Sequence, residues 1–292
     1  MAGEQDLYLS VIVPVYNQWH LLPDLVAHIR EQSCPKERFE LIVVDNGSSE
    51  RSGGELNLPN ARVVECLIPG SYAARNHGAS LARGDWLVFT DADCLPDRDW
   101  LASIHSEIGR IGDTPTLLAG AVEMRASSAD PGLFEIYDLV KGIPQARYVK
   151  RGYAATANLS VPRAVFERLG GFDAARFSGG DADFCRRAGA AGCPIRYLGA
   201  ARVGHPARSS WTEVVTKARR VKGGQLRAGS PRRRLAWAAR TMMPPLRGAW
   251  HFLRADQPMS FRLRAIFVLC LIWLVEMGEL VRLVGGARPE RR

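Results

Sequence analysis

The sequence predicts an α/β fold: a doubly wound, mostly parallel central sheet followed by a basic, helical appendage. Three observations carry that expectation. Short apolar runs suited to buried strands alternate with helix-periodic stretches through the first two-thirds of the 292 residues. Several of those runs end on Asn or Asp, and ligands bind at the carboxyl ends of strands in such sheets. Charge is also unevenly divided: residues 1–195 hold 19 Lys and Arg against 25 Asp and Glu, residues 196–292 hold 20 against 5. An acidic front and a basic tail imply different partners. The expected domains are 1–205 and 206–292.

Leu9 to Asn17 reads as a strand closed by Pro14, with Tyr16 and Asn17 just past its end. Leu21 to Gln32 follows with helical spacing, its apolar face formed by Leu22, Leu25, Val26 and Ile29. Glu40 to Asp45 is a second buried strand, and the turn run Asn46-Gly47-Ser48-Ser49 comes after it. Arg62 to Cys66 makes a short third strand and Tyr72 to Arg83 a helix, stopped by Gly84. Leu87 to Phe89 is the next strand, and it runs into Thr90-Asp91-Ala92-Asp93-Cys94.

In an extended segment Asp91 and Asp93 point the same way and Ala92 points away. Two carboxylates on one side repel unless a cation or hydrogen-bond donors lie between them. Such oxygen ligands suit Mg²⁺ or Mn²⁺. On its own the pair serves equally well as a turn or a helix cap.

Trp100 to Ile111 reads as a helix and Leu117 to Met124 as a strand. Residues 126–151 are polar, poorly periodic and interrupted by Pro and Gly, which predicts a flexible excursion. Asn158 to Val161 is a strand, Arg163 to Leu169 a short helix, and Gly170-Gly171-Phe172-Asp173 a turn. Gly179 and Gly180 leave room for close ligand approach, and Asp181 then stands at a helix start. Ile195 to Tyr197 leads on to His205.

Arg clusters interleaved with Trp237, Trp250, Phe252 and Phe261 lead to an unbroken apolar run, Ile266 to Val275. A full membrane span needs about 20 apolar residues, and Glu276 and Glu279 interrupt this run after ten. A helix lying at the membrane surface, re-entrant or packed on a neighbour is favoured over a crossing. No nucleic-acid motif accompanies the Arg clusters, so nucleic acid is not the expected partner. The acidic start Met1–Asp6 has no signal-peptide core, and the six cysteines have no metal spacing. Packed thiols in a cytoplasmic protein, peripheral to the membrane, are the expectation.

Taken in order, these pieces resemble the inverting glycosyltransferases of family 2, which have a GT-A fold. The resemblance rests on Ser10 to Asn17, Val44-Asp45-Asn46-Gly47-Ser48, Ala73 to Gly78, Asp91-Ala92-Asp93, and Gly170 to Asp173 leading into Asp181-Ala182-Asp183. It covers about Leu9 to His205. It implies that Pro14, Tyr16, Asn17, Asp45, Arg75 and Asp91 hold a nucleoside-diphosphate sugar. It implies further that Asp93 and His205 ligate a divalent metal and that Asp181 is the general base. Many relatives have Glu-Asp where this chain has Gly180-Asp181, an absence that would widen the acceptor pocket. The implied reaction is sugar transfer to a hydroxyl acceptor; the basic tail adds the expectation of a cytoplasmic membrane face, where a lipid or lipid-linked acceptor would be found. A non-catalytic nucleotide-sugar-binding protein and a nucleotidyltransferase of related architecture are the alternatives.

Overall fold

The computed structural model describes residues 8–50, 56–176, 178–227 and 230–287; the acidic start Met1–Asp6 lies outside them. The chain forms two compact units. The first contains residues 1–123, 143–175 and 180–205; the second contains residues 124–142, 176–179 and 206–292.

In the first unit β1 (Leu9–Val15), β2 (Phe39–Asp45), β3 (Ala61–Glu65) and β4 (Trp86–Phe89) run parallel. They are the front of an eight-stranded sheet of order β3-β2-β1-β4-β7-β6-β8-β5, with β5 (Leu95–Pro96), β6 (Leu117–Arg125), β7 (Leu159–Pro162) and β8 (Ile195–Pro206). The parallel run stops at β4, because β7 pairs antiparallel to both β4 and β6, and β5 antiparallel to β8. All seven residues of β1 and of β2 are buried, as strands covered on both faces must be. Their side chains alternate between two cores. Val11, Val13, Leu41 and Val43 pack with α1 (Leu22–Arg30) and α3 (Trp100–Ile111). Ile12, Ile42 and Val44 pack with α2 (Ser71–Leu81).

The seating of α2 depends on Gly78. A Cβ there would lie 2.6 Å from Ile12 Cγ2 and 2.9 Å from Val44 Cγ2. Only glycine lets the helix backbone come this close to β1 and β2, and α2 carries Tyr72, Arg75 and Asn76.

The expected flexible excursion at 126–151 is largely helical instead, with α4 (Leu133–Lys141) and α5 (Gln145–Val149). Leu133, Ile136, Tyr137 and Val140 stand at helical spacing in a short apolar stretch broken only by Glu135 and Asp138, and its polar flanks masked it. The short helix expected after β7 is α6 (Arg163–Arg168). In the second unit α4 shares a core with α8 (Trp211–Arg227), α10 (Leu246–Leu253) and α11 (Met259–Val284). Pro244-Pro245 separates α10 from α9 (Pro231–Met242). Ala265, Val268 and Ile272, within or beside the apolar run, are buried against Ile136, Val214 and Phe252. The acids that interrupt the run are paired: Glu276 with Lys222 at 3.0 Å, and buried Glu279 with Arg282 at 2.7 Å. No helix among the described residues is long and apolar enough to cross a membrane.

Candidate active site

The site is built where β1, β2 and β4 end. Asp45 closes β2 and is buried; its Oδ1 accepts from the Ser48 hydroxyl at 2.6 Å and from the Ser48 N–H at 3.2 Å. Asn17 adopts φ 53°, a left-handed conformation that Asn tolerates. Its N–H donates to Ser48 Oγ at 2.9 Å, and its Oδ1 accepts from the Ser49 N–H at 2.9 Å. The two strand ends are thereby knitted into one rim, with Tyr16 half-buried beside Asn17. Pro14 lies buried inside β1, opposite Val44, so its ring contributes to the sheet and not to the rim. Asn46 extends the rim: it donates to the carbonyls of Cys66 and Ile68 and accepts from the Gly70 N–H, fixing the chain that enters α2. The turn signal at Asn46 was legible in the sequence, but its partners some 20 residues away were not.

The acidic pair lies in a turn, not in the extended segment expected from the sequence. β4 stops at Phe89, and the Cys94 N–H donates to the Asp91 carbonyl at 3.1 Å. Thr90 and Cys94 flank this turn and both donate to the Ala157 carbonyl, at 2.9 and 3.8 Å. Ala92 is buried within the turn. His205 arrives through strand pairing. Leu95 sits opposite Gly204 in the β5–β8 pair, so the next antiparallel position sets His205 beside the acidic turn. His205 Nε2 lies 3.7 Å from Asp93 Oδ2, and the ligand atoms of Asp91, Asp93 and His205 all fall within 4.8 Å of one another. Two carboxylate oxygens and one imidazole nitrogen this close form a donor set that could hold a divalent cation. Arg75, buried on α2, forms an ion pair with Asp91 Oδ1.

Asp181 lies in the first turn of α7 (Gly180–Ala190), inside the helix and not at its N-cap. Its Oδ1 accepts from the Ala182 N–H at 2.8 Å and from the Tyr72 hydroxyl at 3.3 Å. The residue is half-buried, and burial pushes its pKa above the ordinary aspartate range, against the lowering pull of the Ala182 N–H and Arg75. Asp183 pairs with Arg187 at 3.1 Å. Arg187 also donates to the Leu169 and Gly171 carbonyls, and Asn76 clasps Phe172 through both its N–H and its carbonyl. The Gly170–Asp173 turn is therefore a brace between α2 and α7. The space over Gly180 is not open, because the Tyr72 ring fills it. Tyr72 was not singled out in the sequence; its place three residues before Arg75, on one face of a helix, was the available signal.

Comparison with known proteins bears on the family and the fold. The glycosyl transferase family 2 model matches residues 10–116. The glycosyltransferase AglE of Haloferax volcanii is 32% identical over 288 residues, covering 93% of this chain and 93% of that protein. The chain belongs to glycosyl transferase family 2. This glycosyltransferase also shares its fold with solved structures of much lower identity. A mannosyltransferase from Pyrobaculum calidifontis, solved with GDP-Man and Mn²⁺, superposes with a TM-score of 0.60 at 17% identity, covering 94% of this chain and 86% of that one. S. aureus TarS 1-349, solved with UDP-GlcNAc, gives 0.55 at 18% identity, covering 94% and 81%. The fold is GT-A, and the protein is an enzyme of the glycosyltransferase class.

Proposed function

We propose that this glycosyltransferase moves a sugar from a nucleoside-diphosphate sugar to a hydroxyl acceptor with inversion, at a membrane surface that supplies a lipid or lipid-linked acceptor. The observation that carries this reading is the grouping of Asp91, Asp93 and His205 within 4.8 Å at the end of β4. The rim formed by Tyr16, Asn17 and Asp45 takes the base and ribose, with Arg75 and Asp91 toward the phosphates. Asp93 and His205, with Asp91, hold Mg²⁺ or Mn²⁺. A divalent cation bound there neutralises the charge that develops on the leaving diphosphate.

Asp181 acts as the base. As the acceptor oxygen bonds to the anomeric carbon and the carbon–oxygen bond to the diphosphate breaks, the acceptor proton passes to the Asp181 carboxylate. One base and no carboxylate nucleophile give inversion. Residues 1–205 are the catalytic part in this reading, and residues 206–292 associate with the membrane. Exposed Trp250 and Phe267 and the surplus of Arg support the second assignment. The solved relatives with GDP-Man and UDP-GlcNAc support a nucleotide-sugar donor.

The test is a panel of nucleotide sugars read by thermal shift, by release of nucleoside diphosphate and by the anomeric configuration of the product, with Mn²⁺, Mg²⁺ or chelator. A true donor at 100-fold its Kd stabilises by about 2.7 kcal/mol. Asp93→Ala is expected to abolish turnover and the metal dependence of donor binding while the protein stays folded. Wild-type rates for Asp93→Ala in chelator would overturn the metal assignment. Donor binding without turnover would mark a binding protein, and attack at the α-phosphate a nucleotidyltransferase.

A further inference from the structure

Tyr72 and Gly180 are complementary in shape although 108 positions separate them. A Cβ on Gly180 would lie 2.7 Å from Tyr72 Cε2 and 2.8 Å from both Cδ2 and Cζ. The absent side chain at 180 is therefore the seat of the Tyr72 ring. Tyr72 is only 7% exposed, and its ring centroid lies 5.5 Å from that of Phe172. Phe172 in turn packs against Phe89, Phe166 and Phe184 at 5.1–5.2 Å. The phenol is thus held on a rigid aromatic bed, with its hydroxyl at Asp181 Oδ1.

Both donors to Asp181, the Ala182 N–H and the Tyr72 hydroxyl, converge on Oδ1. Oδ2 receives no hydrogen bond among the described residues. The oxygen that accepts two hydrogen bonds is the less basic one, because its lone pairs are already engaged. Three residues along the same helix, Arg75 grips Asp91, and its guanidinium lies 5.8 Å from the Tyr72 ring centroid.

We propose that Tyr72 is the positioning residue of the base: its hydroxyl fixes the Asp181 carboxylate by Oδ1 and leaves Oδ2 to take the acceptor proton. One face of α2 then orders both sides of the reaction, Arg75 on the donor side and Tyr72 on the acceptor side. Burial pushes the Tyr72 hydroxyl well above the ordinary tyrosine range, so it remains a donor across any working pH. The inference rests on the reading of Asp181 as the base.

The test uses the full-length protein with Mn²⁺ and GDP-mannose or UDP-N-acetylglucosamine, following nucleoside diphosphate release. Tyr72→Phe keeps the ring seated over Gly180 and removes only the hydroxyl. Hydrogen bonds to charged groups predict a fall in kcat of roughly 10- to 100-fold, with donor KM unchanged. The acid limb of the pH profile should move up, since one donor to the carboxylate is lost; Arg75 and Asp91 are the other charged groups acting on Asp181. Gly180→Ala, whose methyl group displaces the phenol, should reproduce the loss in kcat. In an Asp181→Asn background Tyr72→Phe should cost little more, because it acts through that carboxylate.

Wild-type kcat and pH profile in both Tyr72→Phe and Gly180→Ala would overturn the proposal. So would a loss from Tyr72→Phe that is equally large without the Asp181 carboxylate. If Asp181→Asn alone turned over at the wild-type rate, it is the base assignment that would fail.

Discussion

At Asp181, the proposed base, two demands meet: a base must be ionised to accept a proton, and burial favours its protonated form. The sign of the resulting pH dependence follows from linkage. With its folded-state pKa above the unfolded value, Asp181 costs no stability below the ordinary aspartate range. The cost grows as pH rises through the window between the two values and is fully present above it. Asp181→Asn is therefore expected to match the wild type in thermal midpoint at low pH and to equal or exceed it at neutral pH. Its kcat should fall by roughly 10²–10⁴-fold, the usual worth of a positioned base. Unfolding of Asp181→Asn, or turnover at the wild-type rate, would remove the base from this position. The aspartate itself was legible in the sequence from its place after two glycines. Its surroundings were not, because Tyr72 comes from a helix more than 100 residues earlier.

Helix α2 is the element on which the site depends. It presents Tyr72 to Asp181, Arg75 to Asp91 and Asn76 to Phe172, and its backbone approaches β1 and β2 through Gly78. A methyl group at 78 would meet two buried branched side chains at under 3 Å, neither with room to retreat. Overpacking of this kind costs about 1–3 kcal/mol. Gly78→Ala is expected to lower the denaturant midpoint accordingly. It should also reduce activity more than a surface change of equal cost in stability, since shifting α2 moves Tyr72 and Arg75 together. A variant with wild-type midpoint and wild-type rate would show that the approach of the helix is not limiting.

For the whole molecule, the exposed apolar residues of the second unit carry a testable consequence. Leu246, Trp250 and Leu253 line one face of α10, and Leu263, Phe267, Cys270 and Leu274 a stripe of α11. Trp250 and Phe267 are 58% and 57% exposed, and Arg254 lies over the Trp250 ring at 4.3 Å. The protein is expected to float with vesicles containing anionic lipid. High salt should weaken but not abolish that binding, because buried apolar contact is not screened. Trp250→Ser with Phe267→Ser should reduce it further while leaving the thermal midpoint near that of the wild type. Full-length protein that never floats would overturn the membrane assignment. Truncation at Ser230 is not a clean test, since it would take Ala265, Val268 and Ile272 out of the core they share with α4 and α8.

What the sequence determined by itself is whatever local pattern encodes. Period-2 and period-3.6 spacing fixed most strands and helices of the first unit to within a residue or two. Strand-end chemistry pointed to Asn17, Asp45, Asp91 and Asp93. The interrupted apolar run also signalled a helix too polar to cross a membrane. Tertiary structure alone decided which distant segments meet. The β5–β8 register brought His205 to Asp93, the missing Cβ of Gly180 admitted the Tyr72 ring, and the apolar face of α4 found a core with α8 and α11. These outcomes depend on register and on shape complementarity between segments far apart in sequence, and no local window of the chain contains both partners.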